Sequence, residues 1–297
     1  MIITFSPTGG TRKVADMIAG ELEGRKAYSQ VMDLTREDIF HSKKAIADYI
    51  RENAEPHDRI CVGAPVYAGH LPGVVKDIIA ALPVPGGGWS AAAGAFVTWG
   101  GVSSGLALEE AAAALRRSGR IITAGMKVVS YHSLSGKFAK KLNEHLPGEE
   151  ARKTAGELAG NILETDGRNV EPGDDISRLL SYQDTRTKIQ DRLLFNEQGF
   201  GYLLYPGVRV DPQRCSGCGA CVKNCPVQRR KLKDGISAEK TRGHSCIHCG
   251  VCYHTCPSNA IDMPLNRFEK LLTMGVAGRG PLACREREKN KVYSKNG

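Results

Sequence analysis

From Met1 to about residue 166, short β-rich apolar runs alternate with longer amphipathic stretches. Ile2–Phe5, Ala27–Leu34, Arg59–Gly63, Ala93–Trp99 and Arg120–Ser130 read as strands. Arg12–Glu23, Ser42–Asn53, Pro72–Leu82, Ser104–Ser118 and Glu149–Glu164 read as helices. Strict alternation of strand and helix predicts an α/β domain whose five-stranded parallel sheet is covered on both faces. Punctuation agrees: Thr11 precedes the first helix, Pro72 suits a first turn, and Gly119 follows Arg116 and Arg117 as a stop.

Beyond that domain (1–166) the pattern changes. Residues 167–207 open with a turn-rich stretch from Gly167 to Asp175. They continue with Ile176, Leu179, Leu180, Ile189, Leu193 and Leu194, read as a docking connector or as a further helix of the first domain. Residues 208–264 contain an internal repeat, Cys215 to Pro226 recurring as Cys246 to Pro257, which implies pseudo-twofold symmetry. Residues 265–297 begin with a short apolar helix around Phe268–Leu272 and become a Gly-rich basic tail, expected to be partly disordered.

Composition adds boundaries. No apolar run approaches the roughly 18 residues of a membrane span, and the start lacks a basic region, an apolar core and a cleavage site, so a cytoplasmic location is expected. The net charge of +9 is unevenly spread: residues 208–297 hold 17 Lys and Arg against 7 Asp and Glu, while 1–207 are balanced. A nucleic-acid reading is set aside because the cysteines point to anionic clusters. Each cysteine-ligated cubane would restore roughly −2, so part of the excess is counter-charge.

Ten cysteines in a chain without a secretory signal point to metal or redox chemistry. Cys215, Cys218, Cys221 and Cys225-Pro226, then Cys246, Cys249, Cys252 and Cys256-Pro257, both match the bacterial ferredoxin run. That resemblance implies two 4Fe-4S clusters in a small α+β module. The fourth cysteine of each run crosses to the other cluster, giving the sets Cys215, Cys218, Cys221, Cys256 and Cys246, Cys249, Cys252, Cys225. Two four-cysteine zinc sites are the competing chemistry, but they usually space two pairs far apart. His244, His248 and His254 read as surface or outer-shell residues, Cys61 as a buried small hydrophobe, and Cys284 carries no role.

After the first strand comes Ser6-Pro7-Thr8-Gly9-Gly10-Thr11, opening a helix: hydroxyls, freed amides and a helix N-terminus in one loop suit a phosphate. No Walker ending or G-x-G-x-x-G is present. In this position the loop resembles the FMN phosphate loop of flavodoxins, whose sheet order is 2-1-3-4-5. The chain is therefore similar to flavodoxin-ferredoxin fusion proteins over about residues 1–165 and 208–264. This resemblance implies FMN, its phosphate held by Ser6, Thr8, Gly9, Gly10 and Thr11. It implies a ring held by the loops after strands three and four, with Pro65, Tyr67, Ala68, Gly69, His70, Thr98, Trp99, Gly100 and Gly101 as candidates. Neither ring loop carries the acidic flank common in small flavodoxins.

The expectation is an electron-transfer iron-sulfur flavoprotein working with a redox protein partner. A basic face at Arg214, Lys223, Arg229, Arg230, Lys231 and Lys233 suits an acidic ferredoxin-like donor. The competing reading is an FMN-dependent reductase of a small organic, quinone or disulfide acceptor, with His70 or His132 as proton donor.

Overall fold

A computed structural model describes residues 1–55, 59–101, 103–133, 143–167, 169–194, 207–240, 245–264 and 290–295. Five parallel strands form its centre: β1 (Ile2–Thr4), β2 (Val31–Asp33), β3 (Ile60–Pro65), β4 (Ala92–Trp99) and β5 (Ile121–Val129). They lie in the order 2-1-3-4-5, as the flavodoxin resemblance implies.

Alternation along each strand divides the core in two. Ile3, Phe5, Val62, Ala64 and Val97 pack with α2 (Lys43–Asn53), α3 (Gly73–Ala81) and α4 (Ala107–Arg117). Ile2, Cys61, Phe96 and Met126 pack with α1 (Gly10–Gly24) and α5 (Glu149–Glu164) on the opposite face. Burial on both faces explains why these strands read as continuous apolar runs. Gly63 is required by close approach: a Cβ there would lie 2.1 Å from the Phe96 ring atom Cζ.

Helix ends differ slightly from the sequence reading. Thr11 lies inside α1, whose cap is Gly9 in the left-handed region, while Ser42 caps α2 by accepting from the Ala45 amide. The connector divides in two. Ile176 and Leu180 are buried, with the Ile176 amide bonded to the Ile122 carbonyl of β5. Ile189 and Leu193, on α6 (Thr185–Leu194), are 54% and 72% exposed, so among the described residues of the connector the first part buries an apolar face and α6 leaves these two outside.

A sixth strand joins the sheet. Between α6 and that strand lie β6 (Arg209–Val210), α7 (Ala220–Lys223), β7 (Arg230–Lys233), β8 (Ile236–Glu239), α8 (Val251–His254) and β9 (Ile261–Asp262). The sixth strand, β10 (Lys291–Tyr293), then pairs antiparallel with β5, correcting the expectation of a disordered tail at residues 290–295. Asn290 accepts from the Val129 amide, Tyr293 stacks on Tyr182 at 5.2 Å, and Lys295 reaches Asp174. A three-residue edge strand with a lysine gives little pattern to read, and such an edge discourages further pairing. The expected helix near Phe268–Leu272 lies outside the described residues.

Candidate functional site

The loop after β1 is held from inside. The Ser6 amide donates to Thr35 Oγ1 at 2.5 Å, Ser6 Oγ accepts from the Arg12 amide, and Thr11 Oγ1 bonds Thr98 Oγ1 at 2.7 Å. Ser6 and Thr11 are buried; Thr8 and Gly9 face solvent. Ser6 and Thr11 thus shape the loop, and Thr8 is its outward hydroxyl. The first turn of α1 has no acidic side chain, and its leading amides lack intrahelical acceptors. This donor set fits a phosphate.

Two further loops stand at the same end of the sheet. Tyr67 and His70 exchange both backbone hydrogen bonds around Ala68 (φ 49) and Gly69 (φ 78). Left-handed backbone at both central residues is the signature of a type I′ turn. The turn is clamped by α6: a Cβ on Gly69 would lie 3.1–3.2 Å from the Asp191 carboxylate atoms. An acidic group supplied by the connector therefore stands beside this turn. Distance along the chain hid it from sequence reasoning.

His70 is buried and fully engaged, with Nδ1 bonded to Glu110 Oε1 at 2.8 Å and Nε2 to the Asp191 carbonyl at 3.0 Å. Glu110 Oε2 also accepts from the Leu71 amide and meets Lys76. Both partners of the imidazole are acceptors, which suits an imidazolium donating twice. Burial pulls its pKa down, but the Glu110 carboxylate and the Asp191 carbonyl outweigh this and keep it above the ordinary value. For Glu110, burial raises the pKa, but the His70 and Lys76 charges and the Leu71 amide bring it below the usual range. His70 therefore holds the loop rather than offering a proton.

At the end of β4, Trp99 is 2% exposed and its ring packs against the Lys127 ammonium at 5.5 Å. It is buried in the core, one of the two placements that its sequence position allows. Its carbonyl accepts from the Ser130 amide. Gly100 lies against His132: a Cβ would be 2.4 Å from that imidazole. Burial keeps the pKa of His132 below the ordinary value. Asn143 donates to the Gly100 carbonyl, and Gly101 takes φ 84. Pro65 and Thr98 are buried, Tyr67, Ala68 and Gly69 half-buried. Val102 lies outside the described residues.

The cysteine motifs repeat in three dimensions. Left-handed residues recur 31 positions apart, at Gly217 and His248, Gly219 and Gly250, Gln228 and Asn259. Gly219 and Gly250 open α7 and α8. The Arg229 amide donates to Cys225 Sγ at 3.1 Å, and the Ala260 amide to Cys256 Sγ at 3.2 Å. Such amide–sulfur bonds stabilise thiolates.

The described motif cysteines fall into two groups. Cys215, Cys218, Cys221 and Cys256 line one cavity, together with Leu232, Ser237 and Ser258. Cys225 stands with Cys246, Cys249 and Cys252, close enough for the four thiols to influence one another. Burial pushes Cys246 up to about 11 and Cys252 to about 12, and raises Cys249 as well. These donors need a cationic centre to release their protons. Four cysteines in each group are the donor number that a cubane cluster takes.

The basic face is smaller than expected. Arg230 is 3% exposed, bonded to Ser237 Oγ and close to Glu239; Arg229 also faces Glu239. Arg214, Lys223 and Lys233 are exposed and Lys231 half-exposed. Cys61 is a buried thiol pushed up to about 12, as a small hydrophobe should be. His244 and Cys284 lie outside the described residues.

Residues 3–140 match the NADPH-dependent FMN reductase family, and residues 207–269 match the 4Fe-4S dicluster domain family. Between them the matches span about two thirds of the chain. The chain is a flavodoxin-ferredoxin fusion protein. Its cofactors are FMN and two 4Fe-4S clusters, and its chemistry is electron transfer. An uncharacterized ferredoxin of Methanocaldococcus jannaschii is 36% identical over 58 residues, 19% of the fusion protein and 92% of that protein. The VorC subunit of a Methanothermobacter marburgensis ketoisovalerate oxidoreductase is 34% identical over 66 residues, 20% of the fusion protein and 84% of the subunit. A solved archaeal flavodoxin aligns with TM-score 0.37 and 16% identity, covering 55% of the fusion protein and 94% of that chain. Among the described residues, no helix is long and apolar enough to cross a membrane.

Proposed function

We propose that the fusion protein carries electrons between an acidic redox protein and FMN through its own clusters, in the cytoplasm. Thr8, Gly9 and Gly10, in a loop shaped by Ser6 and Thr11, would hold the FMN phosphate, and the Tyr67–Gly69 turn and Gly100–Gly101 would hold its ring. The eight motif cysteines hold the clusters in the two crossed sets. The units are an FMN domain (1–166), a connector (167–207), a cluster module (208–264) and a C-terminal segment (265–297).

One observation carries this reading. His254 of the cluster module bonds the Ser133 carbonyl at 2.7 Å, next to His132, which covers Gly100 just after β4. When bound, FMN exchanges one or two electrons and each cluster one. The residues provide a bridge between them.

The partner docks on Arg214, Lys223, Lys231 and Lys233 by electrostatic steering. Flavin bleaching by a reduced acidic ferredoxin should slow markedly as salt rises from about 0.05 to 0.5 M, where the screening length shortens severalfold. Reversing Lys231 and Lys233 should reproduce the loss at low salt with cluster content intact; a rate indifferent to both removes the docking proposal. The match to an NADPH-dependent FMN reductase family favours a second reading, an FMN-dependent reductase. Rapid turnover of NADPH and a small acceptor without a protein donor would select it.

A further inference from the structure

The cluster module is a pseudo-twofold repeat, yet its two halves are not equivalent in what they touch. Val227 is 5% exposed and belongs to the core of the parallel-sheet domain, against which Cys225 and Ile247 also pack. Gln228 donates to Asp38 at 2.5 Å, in the segment after β2 whose Thr35 fixes Ser6 of the phosphate loop. His254 reaches Ser133.

All these contacts flank one cage. Val227 and Gln228 follow Cys225, Ile247 follows Cys246, and His254 follows Cys252; these three cysteines share the second crossed set. The repeat mates, 31 residues away, lie around the other cage and differ in chemistry. Val227 is matched by Ser258, Ile247 by Ser216, Gln228 by Asn259 and His254 by Lys223. Ser216, Asn259 and Lys223 are exposed, and so is Cys218. Apolar and latching residues mark one half, small polar and cationic residues the other. The symmetry is broken in the direction of docking.

We propose that the set Cys225, Cys246, Cys249 and Cys252 is the inner cage, facing the flavin, and that Cys215, Cys218, Cys221 and Cys256 form the outer cage, where the partner's electron enters. The proposal rests on the electron-transfer reading above and orders its carriers. At each encounter a one-electron protein donor is oxidised and the outer cage reduced, and the electron passes through the inner cage. Two encounters and two solvent protons complete reduction of one FMN.

The test uses the holoprotein with a reduced acidic ferredoxin as donor. Cys218→Ala and Cys249→Ala should each remove one cluster. In Cys249→Ala the remaining cluster should still be reduced by the donor, seen by its paramagnetic resonance, while flavin bleaching is lost. In Cys218→Ala the remaining cluster should resist the donor but accept electrons from photoreduced flavin. The opposite pattern overturns the order. Because cage variants can destabilise the module, a Val227→Ser and Ile247→Ser double variant keeps all eight cysteines and should weaken flavin-cluster exchange with iron content unchanged. Hydrogen exchange gives a readout independent of electron flow: loading FMN should protect Val227–Arg229 and Val251–His254 but not Gly219–Lys223 or Ser258–Ala260. Equal or reversed protection also overturns the order. If wild-type FMN exchanges electrons with neither cluster, the electron-transfer reading falls, and the exchange pattern still decides which cage is inner.

Discussion

The hydroxyls of Thr11 and Thr98 meet at 2.7 Å across 87 positions of sequence, both buried, joining the start of α1 to the end of β4. One hydrogen bond thereby couples the loop after β1 to the loop after β4, the two proposed to hold FMN. Thr11→Val should cost about 1–3 kcal/mol, since it leaves a buried hydroxyl without its partner. Adding Thr98→Val should recover much of the loss. Urea unfolding of the two variants in the FMN-free protein checks the pair, and non-recovery would mean the bond is incidental.

Thr8 offers the contrasting case, an exposed hydroxyl on the same loop. Thr8→Ala should leave the unfolding midpoint of the FMN-free protein unchanged. FMN binding should weaken by about 1.5–3 kcal/mol, the range for a hydrogen bond to a charged group, or roughly 10- to 150-fold in Kd. Calorimetric titration with FMN measures this, and unchanged affinity would remove Thr8 from the phosphate site.

The His70–Glu110 pair predicts a pH profile. The pKa of His70 is raised above 6.5 in the folded chain, so its contribution is complete below 6.5 and is lost as pH climbs through the raised value. That of Glu110 is lowered below 4.5, so its contribution is complete above 4.5 and is lost as pH falls through the lowered value. Stability from the pair should peak between these limits and decline towards pH 8. Glu110→Gln should flatten that decline in denaturation midpoints measured from pH 5 to 9.

Crossed ligation gives a prediction about iron. Cys225→Ala should damage the cluster of the Cys246 motif, although Cys225 belongs in sequence to the Cys215 motif. Iron analysis and resonance spectra of Cys225→Ala and Cys249→Ala should show the same surviving cluster. A spectrum matching Cys218→Ala instead would mean that the cages are uncrossed.

Local signals made much of this legible. Strand and helix order followed from periodicity, and the two clusters from a cysteine spacing that only a short chelating loop needs. Long-range contacts were not legible. Asp191 reaches the Gly69 turn from the connector, and His70, read as a possible proton donor, is spent on Glu110 and the Asp191 carbonyl. Trp99 suited a ring contact and a core aromatic equally well in sequence, and its burial comes from long-range packing. Arg229 and Arg230 counted as surface charge until Glu239 was seen across the hairpin. One long-range feature was present in plain view: the serines that replace Val227 and Ile247 in the other repeat already distinguish two sides of the module.

The pairing of β10 with β5 has a consequence for biosynthesis. The ribosome completes β5 at Val129, but its neighbour at Lys291–Tyr293 emerges only after the entire cluster module has been made. During that interval the β5 edge is an unpaired template open to other chains. Cysteine-rich loops and an open edge therefore coexist on the nascent protein.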